Sequence, residues 1–302
     1  LDYIETTAVV SMVDSGGSTG RLRDELGILP PGDVLKCILA LSPHRDMARA
    51  IFLKKFTLDR RLQGHNAGNM LLTMLSRYTG SFPAGIQALA EILDARGSIL
   101  PVTIDKATLV AELTDGTRIY GETAIDVPRG TQREKIRDVF LVPHHSDSIS
   151  VYPPVIDAIE GADYIIIGPG DLFTSIIPSL IVPGVKEALQ KTKAPVLYVV
   201  NIMTKFGETH NFTGRDFVRK LENSIHRQVD GIIYNTKKPD TDLLNQYLAQ
   251  KAEFVEIDGP DDWYGLRKIY AADILDTSGG IVRHDSKKLA AFLNQIFSVA
   301  ED

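Results

Sequence analysis

The stretch that decides the fold is an apolar run from Ala8 to Val13, followed at once by a glycine-rich turn from Asp14 to Arg23. The two segments read AVVSMV and DSGGSTGRLR. A short, continuous apolar run is typical of a strand buried on both faces, as in a parallel sheet. Glycines after such a strand let successive backbone N–H groups turn toward an anion. These residues therefore predict a buried strand that ends in a ligand-binding turn.

Four later runs have the same character, and amphipathic segments lie between them. The runs are Tyr164–Ile167, Val196–Val200, Gly231–Tyr234 and Phe254–Ile257. Apolar residues spaced i, i+3, i+4 and i+7 predict helices, as from Ile86 to Leu93 and from Leu289 to Ile296. The alternation predicts an α/β fold with a mostly parallel sheet.

One segment, residues 98–143, breaks this alternation. Leu109–Leu113 and Thr117–Glu122 flank Asp115-Gly116, a dipeptide that favours a tight hairpin turn. We therefore expect a β-rich insertion at 98–143 inside a single α/β domain that spans residues 1–302.

The overall composition excludes some classes of protein. The 302 residues suffice for a full hydrophobic core, and the net charge of −6 argues against a nucleic-acid binder. Cys37 is the single cysteine, which excludes an internal disulfide and fits a reducing compartment. The sequence contains no apolar run of membrane-spanning length and no signal-peptide pattern. We expect a cytoplasmic protein.

The turn after the first strand is the first candidate site. Its hydroxyls and arginine are suited to an anion, and Asp14 is suited to a metal ion or a sugar hydroxyl. The motif is neither a P-loop nor a dinucleotide fingerprint, and the alternative is an ordinary glycine-rich turn. The candidate ligand residues are Asp14, Gly16, Gly17, Ser18, Thr19, Gly20 and Arg21.

A second candidate is the segment Gly64–Asn69, which precedes the helical run Met70–Tyr78. A helix that starts here directs free N–H groups and a partial positive charge at a ligand. His65, Asn66 and Asn69 are its candidate residues. The alternative is a plain helix start with Asn66 as the N-cap.

Polar turns also follow three later strands. Because the carboxyl ends of parallel strands share one edge, and open α/β sheets bind ligands outside that edge, we expect these turns and the turn at Asp14 to converge on one crevice. Taken one at a time, each residue is more often part of a turn. The candidates are Gly168, Gly170, Asp171, Thr174, Ser175, Asn201, Thr204 and Asn235.

These motifs together resemble the gluconeogenesis-factor (YvcK-type) proteins of the CofD-like superfamily. The matching segments occur in the family's order and cover almost the whole chain. They are Asp14–Arg23, Leu29–Asp33, Gly64–Asn69, Gly168–Pro178, Asn201–Thr204 and Arg283–Asp285.

The resemblance implies a CofD-like, three-layer, Rossmann-like fold. It also implies a regulatory protein that binds a UDP-sugar such as UDP-N-acetylglucosamine and is linked to gluconeogenic carbon metabolism, cell shape and cell-wall synthesis. The alternative is a Mg²⁺-dependent enzyme similar to 2-phospho-L-lactate transferase, which uses a nucleotide diphosphate carrier and has Asp14 as metal ligand and catalytic residue. Whether the protein is a homo-oligomer, and whether its partner is a cell-wall or a metabolic enzyme, stays open.

The sequence departs from the family pattern in two places. The family opens with a strand and a glycine-rich loop, and we expect both to be missing from this sequence. Many members carry Asp-Asp where this chain has Asp14-Ser15. One carboxylate remains for a metal in that loop, which weakens the transferase alternative.

Overall fold

The computed structural model describes residues 4–298, except residues 17, 18, 21, 23–26, 58–61, 129, 131, 145, 258–260 and 266. In chain order the strands are β1 (Thr7–Val10), β2 (Ser98–Pro101), β3 (Ala107–Leu113), β4 (Arg118–Tyr120), β5 (Ile136–Pro143), β6 (Ile165–Ile167), β7 (Val196–Val199), β8 (Gly231–Asn235), β9 (Lys268–Ala272), β10 (Leu275–Asp276) and β11 (Arg283–His284).

Helices separate most of these strands. They are α1 (Gly32–Leu41), α2 (Arg45–Phe52), α3 (Ala67–Tyr78), α4 (Phe82–Ile92), α5 (Glu122–Asp126), α6 (Pro153–Glu160), α7 (Ile177–Leu180), α8 (Val185–Lys191), α9 (Gly214–Ile225), α10 (Thr241–Ala249) and α11 (Ser286–Ser298). A π-helical turn, Leu172–Ile176, leads directly into α7.

The central parallel sheet has the strand order β6-β7-β8-β9. All four residues of β7 are buried, which explains its unbroken apolar sequence. Its side chains alternate between two cores: Val196 and Tyr198 pack in the cluster that contains Phe217 of α9, whereas Leu197 and Val199 pack in the cluster that contains Ile296 of α11. The sheet therefore forms the middle of three layers, and the predicted fold class is confirmed.

A second parallel pair is formed by β1 and β2, with Thr7 opposite Ser98 and Val10 opposite Pro101. Helices α1 and α4 pack against this pair through buried residues such as Leu35 and Leu89. β1 ends at Val10, before the predicted end at Val13, although Met12 and Val13 stay buried.

An antiparallel sheet of order β4-β3-β5 interrupts the α/β pattern. The hairpin predicted at Asp115-Gly116 is confirmed: β3 and β4 pair antiparallel, Gly116 has a positive φ of 86°, and the Asp115 side chain accepts from the N–H of Thr117 at 2.8 Å. Since β2 pairs with β1, the antiparallel part occupies residues 107–143 of the predicted range 98–143.

One predicted strand is wrong and one was missed. The segment Phe254–Ile257 forms only an isolated antiparallel bridge between Phe254 and Met203. The fourth parallel strand is β9, whose Lys268 pairs opposite Gly231 of β8. β9 lies at the edge of the sheet with exposed residues along it, so its sequence lacks the continuous apolar run of a central strand.

Among the described residues, no single helix is both long enough and apolar enough to cross a membrane. The segments Leu172–Leu180 and Val185–Lys191 pass that test only when taken together, and they are bent by 73°.

Candidate functional site

A cavity of about 910 Å³ opens beyond the carboxyl ends of β6 and β7. The predicted candidates Gly170, Asp171, Ser175, Asn201 and Thr204 all line it. The remaining wall comes from Asp126–Pro128, Pro169, Ile202, Met203, Lys205, Phe206, Tyr247, Gln250, Ala252 and Val282–His284. The turns after β6 and β7 therefore converge on one hollow, as strands that share an edge require. The described residues of the turn at Asp14 are not in its lining, because β1 pairs with β2 in a separate parallel pair.

Gly168 supports this cavity from outside its lining. Its φ is +83°, and a Cβ at this position would lie 3.0 Å from the carbonyl oxygen of Val199. A side chain is therefore excluded by both the backbone conformation and the neighbouring strand. Thr174 is 4% exposed, and its hydroxyl lies 3.4 Å from Oε2 of Glu208.

The cavity wall contains one lysine that is shared by three carboxylates. Nζ of Lys205 lies 2.7 Å from Asp171 and 3.0 Å from Glu208, and it also pairs with Asp126. These carboxylates come from three separate segments of the chain, and their oxygens lie within 4.8 Å of one another. Lys205 therefore joins α5, the turn after β6 and the segment after β7.

The electrostatics of this cluster follow from burial and from the excess of negative charge. Burial raises the pKa of Glu208 to about 7, against the opposing effect of Lys205. Burial alone would lower the pKa of Lys205, but the charges of Glu208 and Asp171 and the bond to Asp126 raise it overall. Lys205 is thus a permanent cation, and Glu208 changes charge near neutral pH.

The side chain of Asn201 carries a hydrogen-bond acceptor that no described protein group uses. It lines the cavity, and its Oδ1 is buried without a hydrogen-bond partner among the described residues. A buried acceptor without a partner costs free energy.

Asn235 is used differently. Its Nδ2 donates to the carbonyl of Lys237 at 2.6 Å, and its Oδ1 accepts from the N–H of Ile274 at 3.2 Å. It lies outside the cavity lining, and its amide holds the turn after β8. The geometry thus gives Asn235 a structural role and leaves its predicted ligand contact without support.

The turn at Asp14 is closely packed. Oδ1 of Asp14 accepts from the N–H of Gly16 at 2.8 Å, and the N–H of Gly20 donates to the carbonyl of Gly16 at 2.9 Å. A Cβ at Gly20 would lie 2.2 Å from the carbonyl oxygen of Ser15. The predicted contacts of Gly17, Ser18 and Arg21 lie outside the described residues.

The second candidate segment adjoins this turn. Nδ2 of Asn69 donates to Oγ1 of Thr19 at 3.4 Å, so the start of α3 and the first turn meet. Asn66 is the N-cap of α3, and its side chain accepts from the N–H of Asn69 at 2.7 Å. Asn66 therefore acts as the N-cap of the helix, which was the alternative to a ligand contact. His65 is 5% exposed, which leaves little of its ring accessible to a ligand.

The first turn presents oxygen atoms of the kind that Mg²⁺ prefers, and these are the carboxylate of Asp14 and the hydroxyl of Thr19. Burial raises the pKa of Asp14, the N–H of Gly16 opposes this, and the charge of Asp33 adds to it. One carboxylate fits an ion that keeps several of its waters. The cluster at Glu208 fits a metal less well, because Lys205 already lies among its carboxylates.

Sequence reasoning missed Asp126, Lys205, Glu208 and the contribution of Tyr247 to the cavity wall. Glu208 lies inside the segment Lys205–His210, which has no apolar period or glycine pattern to mark it. Asp126 belongs to the insertion, for which the sequence predicts only strands and a hairpin and no site residue. Arg283 and His284 line the cavity, although only the family resemblance had drawn attention to them.

Comparison with known proteins agrees with this architecture. A family model described as 2-phospho-L-lactate transferase CofD matches residues 3–274. Crystal structures of a UPF0052-family protein from Bacillus halodurans superpose with a TM-score of 0.88 at 33% identity, covering 96% of this chain and 91% of theirs. The chain therefore belongs to the CofD family.

Comparison with curated relatives assigns the chain to one group within this family. A putative gluconeogenesis factor from Thermotoga maritima is 41% identical over 98% of this chain and 92% of its own length. The gluconeogenesis factor of Bacillus subtilis is 35% identical over 96% of this chain and 90% of its own length. The chain belongs to the gluconeogenesis-factor group of the CofD family.

Proposed function

We propose that the protein binds a nucleotide diphosphate sugar, with UDP-N-acetylglucosamine as the first candidate, and that it acts as a regulatory protein. The observation that carries the proposal is the cavity of about 910 Å³ at the carboxyl edge of the parallel sheet. Its volume lies within the ~300–1,000 Å³ range of small-molecule sites. The proposal also states that the protein is cytoplasmic and that it regulates an enzyme of carbon metabolism or of cell-wall synthesis.

The lining groups suggest how such a ligand is bound. The amide of Asn201 offers a donor and an acceptor to a base or ribose edge. Asp171 accepts from sugar or ribose hydroxyls. The phosphates of a ligand that extends beyond the cavity would lie at the first turn, whose described residues are outside the cavity lining. Because three carboxylates surround Lys205, its end of the cavity suits hydroxyl groups better than a phosphate.

Thermal unfolding with and without ligand tests the proposal. UDP-N-acetylglucosamine at about 100 times its dissociation constant should stabilise the folded protein by roughly 2.7 kcal/mol. UDP and N-acetylglucosamine 1-phosphate, measured separately, show which half of the ligand supplies the affinity. Unfolding curves that do not shift with any UDP-sugar would contradict the proposal.

A second candidate function is transfer of a phosphorus-containing group from a nucleotide diphosphate carrier to a hydroxyl acceptor. The family match to 2-phospho-L-lactate transferase and the buried carboxylate of Asp14 favour it. A magnesium ion would supply charge neutralisation at the phosphates. Asp14 and Thr19 would hold that ion, and the first turn would orient the phosphates.

A further inference from the structure

The short helix α5 of the insertion contacts two segments that carry candidate ligand residues. These are the glycine-rich turn at Asp14 and the segment after β7 that contains Asn201 and Lys205. At its start, the N–H of Thr123 donates to Oγ of Ser15 at 3.0 Å. At its end, Asp126 pairs with Lys205 on the cavity wall. At about 1.5 Å of rise per residue, the two ends of α5 are separated by only about 6 Å. The helix thus spans the gap between the first turn and the cavity.

Electrostatics agree with this placement. Burial raises the pKa of Glu122, and the N–H of Ser15 opposes that effect. The charges of Asp14 and Asp126 both raise the pKa further. Glu122 therefore lies within electrostatic range of the first turn on one side and of the cavity wall on the other.

Arg133 is hydrogen-bonded to the far end of α5 and packs beside the segment after β7. Its Nη1 donates to the carbonyl of Ile125 at 2.7 Å. Its Cδ would lie 3.1 Å from a Cβ on Gly207, so the arginine stem runs directly over the backbone beside Glu208. Arg133 is outside the cavity lining, as is Ser15.

A helix of five residues has too few hydrogen bonds to hold its own position, so its contacts decide where it lies. Ile125 is fully buried and anchors α5 in the core. Because the anchor and the two ends belong to one turn and a half of helix, a shift at one end moves the other.

We propose that α5 couples the glycine-rich turn at Asp14 to the cavity wall at Lys205, and that Ser15 and Arg133 are its positioning residues. This inference rests on the nucleotide-sugar binding proposed above, because it assigns one ligand to both segments. Two loops that are already ordered relative to each other bind such a ligand more tightly, since the cost of ordering them is avoided.

Calorimetric titration of the full chain with UDP-N-acetylglucosamine tests the coupling. Ser15→Ala removes the hydroxyl contact at the start of α5, and Arg133→Met removes the hydrogen bond to Ile125 at its end, while the N–H of Ser15 and the Asp126–Lys205 pair remain. Each substitution loosens α5 and should weaken binding by about 5- to 10-fold, the size of one net hydrogen bond. The double variant should bind about as weakly as the weaker single variant, because both substitutions loosen the same link. Losses that multiply would overturn the inference. Arg137→Met, at an exposed arginine of the same insertion, is the control and should bind like the wild type.

Hydrogen exchange without ligand separates this inference from the proposed function. Arg133→Met should speed exchange of the Gly16 and Gly20 amides at least threefold, although they lie more than a hundred residues away in sequence. Arg133→Lys keeps a donor for Ile125 and should restore most of the protection. Unchanged exchange in Arg133→Met would overturn the coupling whatever the ligand is. A wild-type protein that ignores UDP-sugars but shows faster exchange in the variant would contradict only the proposed function.

Discussion

The ammonium group of Lys205 lies 3.0 Å from Oε1 of Glu208, a side chain that is only 1% exposed. Two more carboxylates, Asp126 and Asp171, share the same cation. One positive charge cannot compensate three negative ones in a half-buried wall. The burial of Glu208 is therefore costly when it is ionised, and its pKa rises to about 7.

This raised pKa predicts how stability changes with pH. Because the folded state raises the pKa of Glu208 from 4.5 to about 7, its contribution is complete below pH 4.5 and is lost as the pH rises through 7. The loss amounts to at most about 3 kcal/mol. The side chain of the Glu208→Gln variant cannot ionise. The stability of this variant relative to the wild type should therefore rise between pH 4.5 and 8.

Urea unfolding at a series of pH values measures this difference. The matched control is Glu160→Gln, at an exposed carboxyl, which should run parallel to the wild type. If the Glu208→Gln curve also ran parallel, ionisation of Glu208 would carry no cost and the account of the cluster would fail.

The two asparagines that end neighbouring strands should behave in opposite ways. Asn201→Ala removes a buried oxygen that has no partner in the described structure, so the free protein should lose little or no stability. Its affinity for UDP-N-acetylglucosamine should fall by about tenfold, the value of a hydrogen bond made only with ligand. Asn235→Ala breaks bonds to Lys237 and Ile274 and should cost about 1–3 kcal/mol of stability while leaving affinity unchanged.

Unfolding curves measure the stability of the two variants, and calorimetry measures their affinity for UDP-N-acetylglucosamine. A stability loss in Asn201→Ala without a change in affinity would show that Asn201 serves the fold. An affinity loss in a fully folded Asn235→Ala would restore its predicted role as a ligand residue.

The central strands and their turns were predictable because burial on both faces leaves a mark in sequence. Val196–Val199 is apolar at every position since both of its faces are covered. An edge strand keeps polar and exposed residues, so the sequence of β9 does not mark it as a strand. Phe254–Ile257 looks like a strand because its apolar side chains, Phe254, Val255 and Ile257, are buried or half-buried in a loop.

The candidate site was predictable only in part, for a different reason. Asn201 and Asp171 follow strands, so the edge rule brings them together. Lys205 and Glu208 meet Asp126 through a contact between residues 79 apart in sequence, and no local pattern encodes such a pairing. The role of the insertion in the cavity wall likewise depends on tertiary packing.

The glycines of the first turn differ in how much room surrounds them, which makes a matched pair of substitutions. A Cβ at Gly20 would meet the carbonyl oxygen of Ser15 at 2.2 Å, whereas a Cβ at Gly16 would have its nearest neighbour, Asp14 Oδ1, at 3.4 Å. Gly20→Ala should therefore cost about 1–3 kcal/mol, as overpacking does, and abolish ligand binding. Gly16→Ala should stay within about 1 kcal/mol of wild type. Equal losses in the two variants, measured by urea unfolding, would show that the packing of this turn does not decide its stability.

Asp14 distinguishes a binding protein from an enzyme. Asp14→Asn keeps the shape of the side chain and an acceptor for the N–H of Gly16 but removes the charge that would hold Mg²⁺. For a binding protein, affinity for UDP-N-acetylglucosamine should be the same with Mg²⁺ and with a chelator, and Asp14→Asn should change it by less than about threefold, below one net hydrogen bond.

For a transferase, the wild type should move phospholactate from a nucleoside diphosphate-linked lactate to a hydroxyl acceptor, with release of the nucleoside monophosphate, only with Mg²⁺. Asp14→Asn should then lose at least about a hundredfold in rate, as removal of a charge-stabilising group at phosphates does. Because desolvation raises the pKa of Asp14, metal affinity should also weaken as the pH falls toward that raised value, since the protonated carboxyl cannot bind the ion. Product formation that needs Mg²⁺ and follows this pH dependence would replace the regulatory proposal with an enzymatic one.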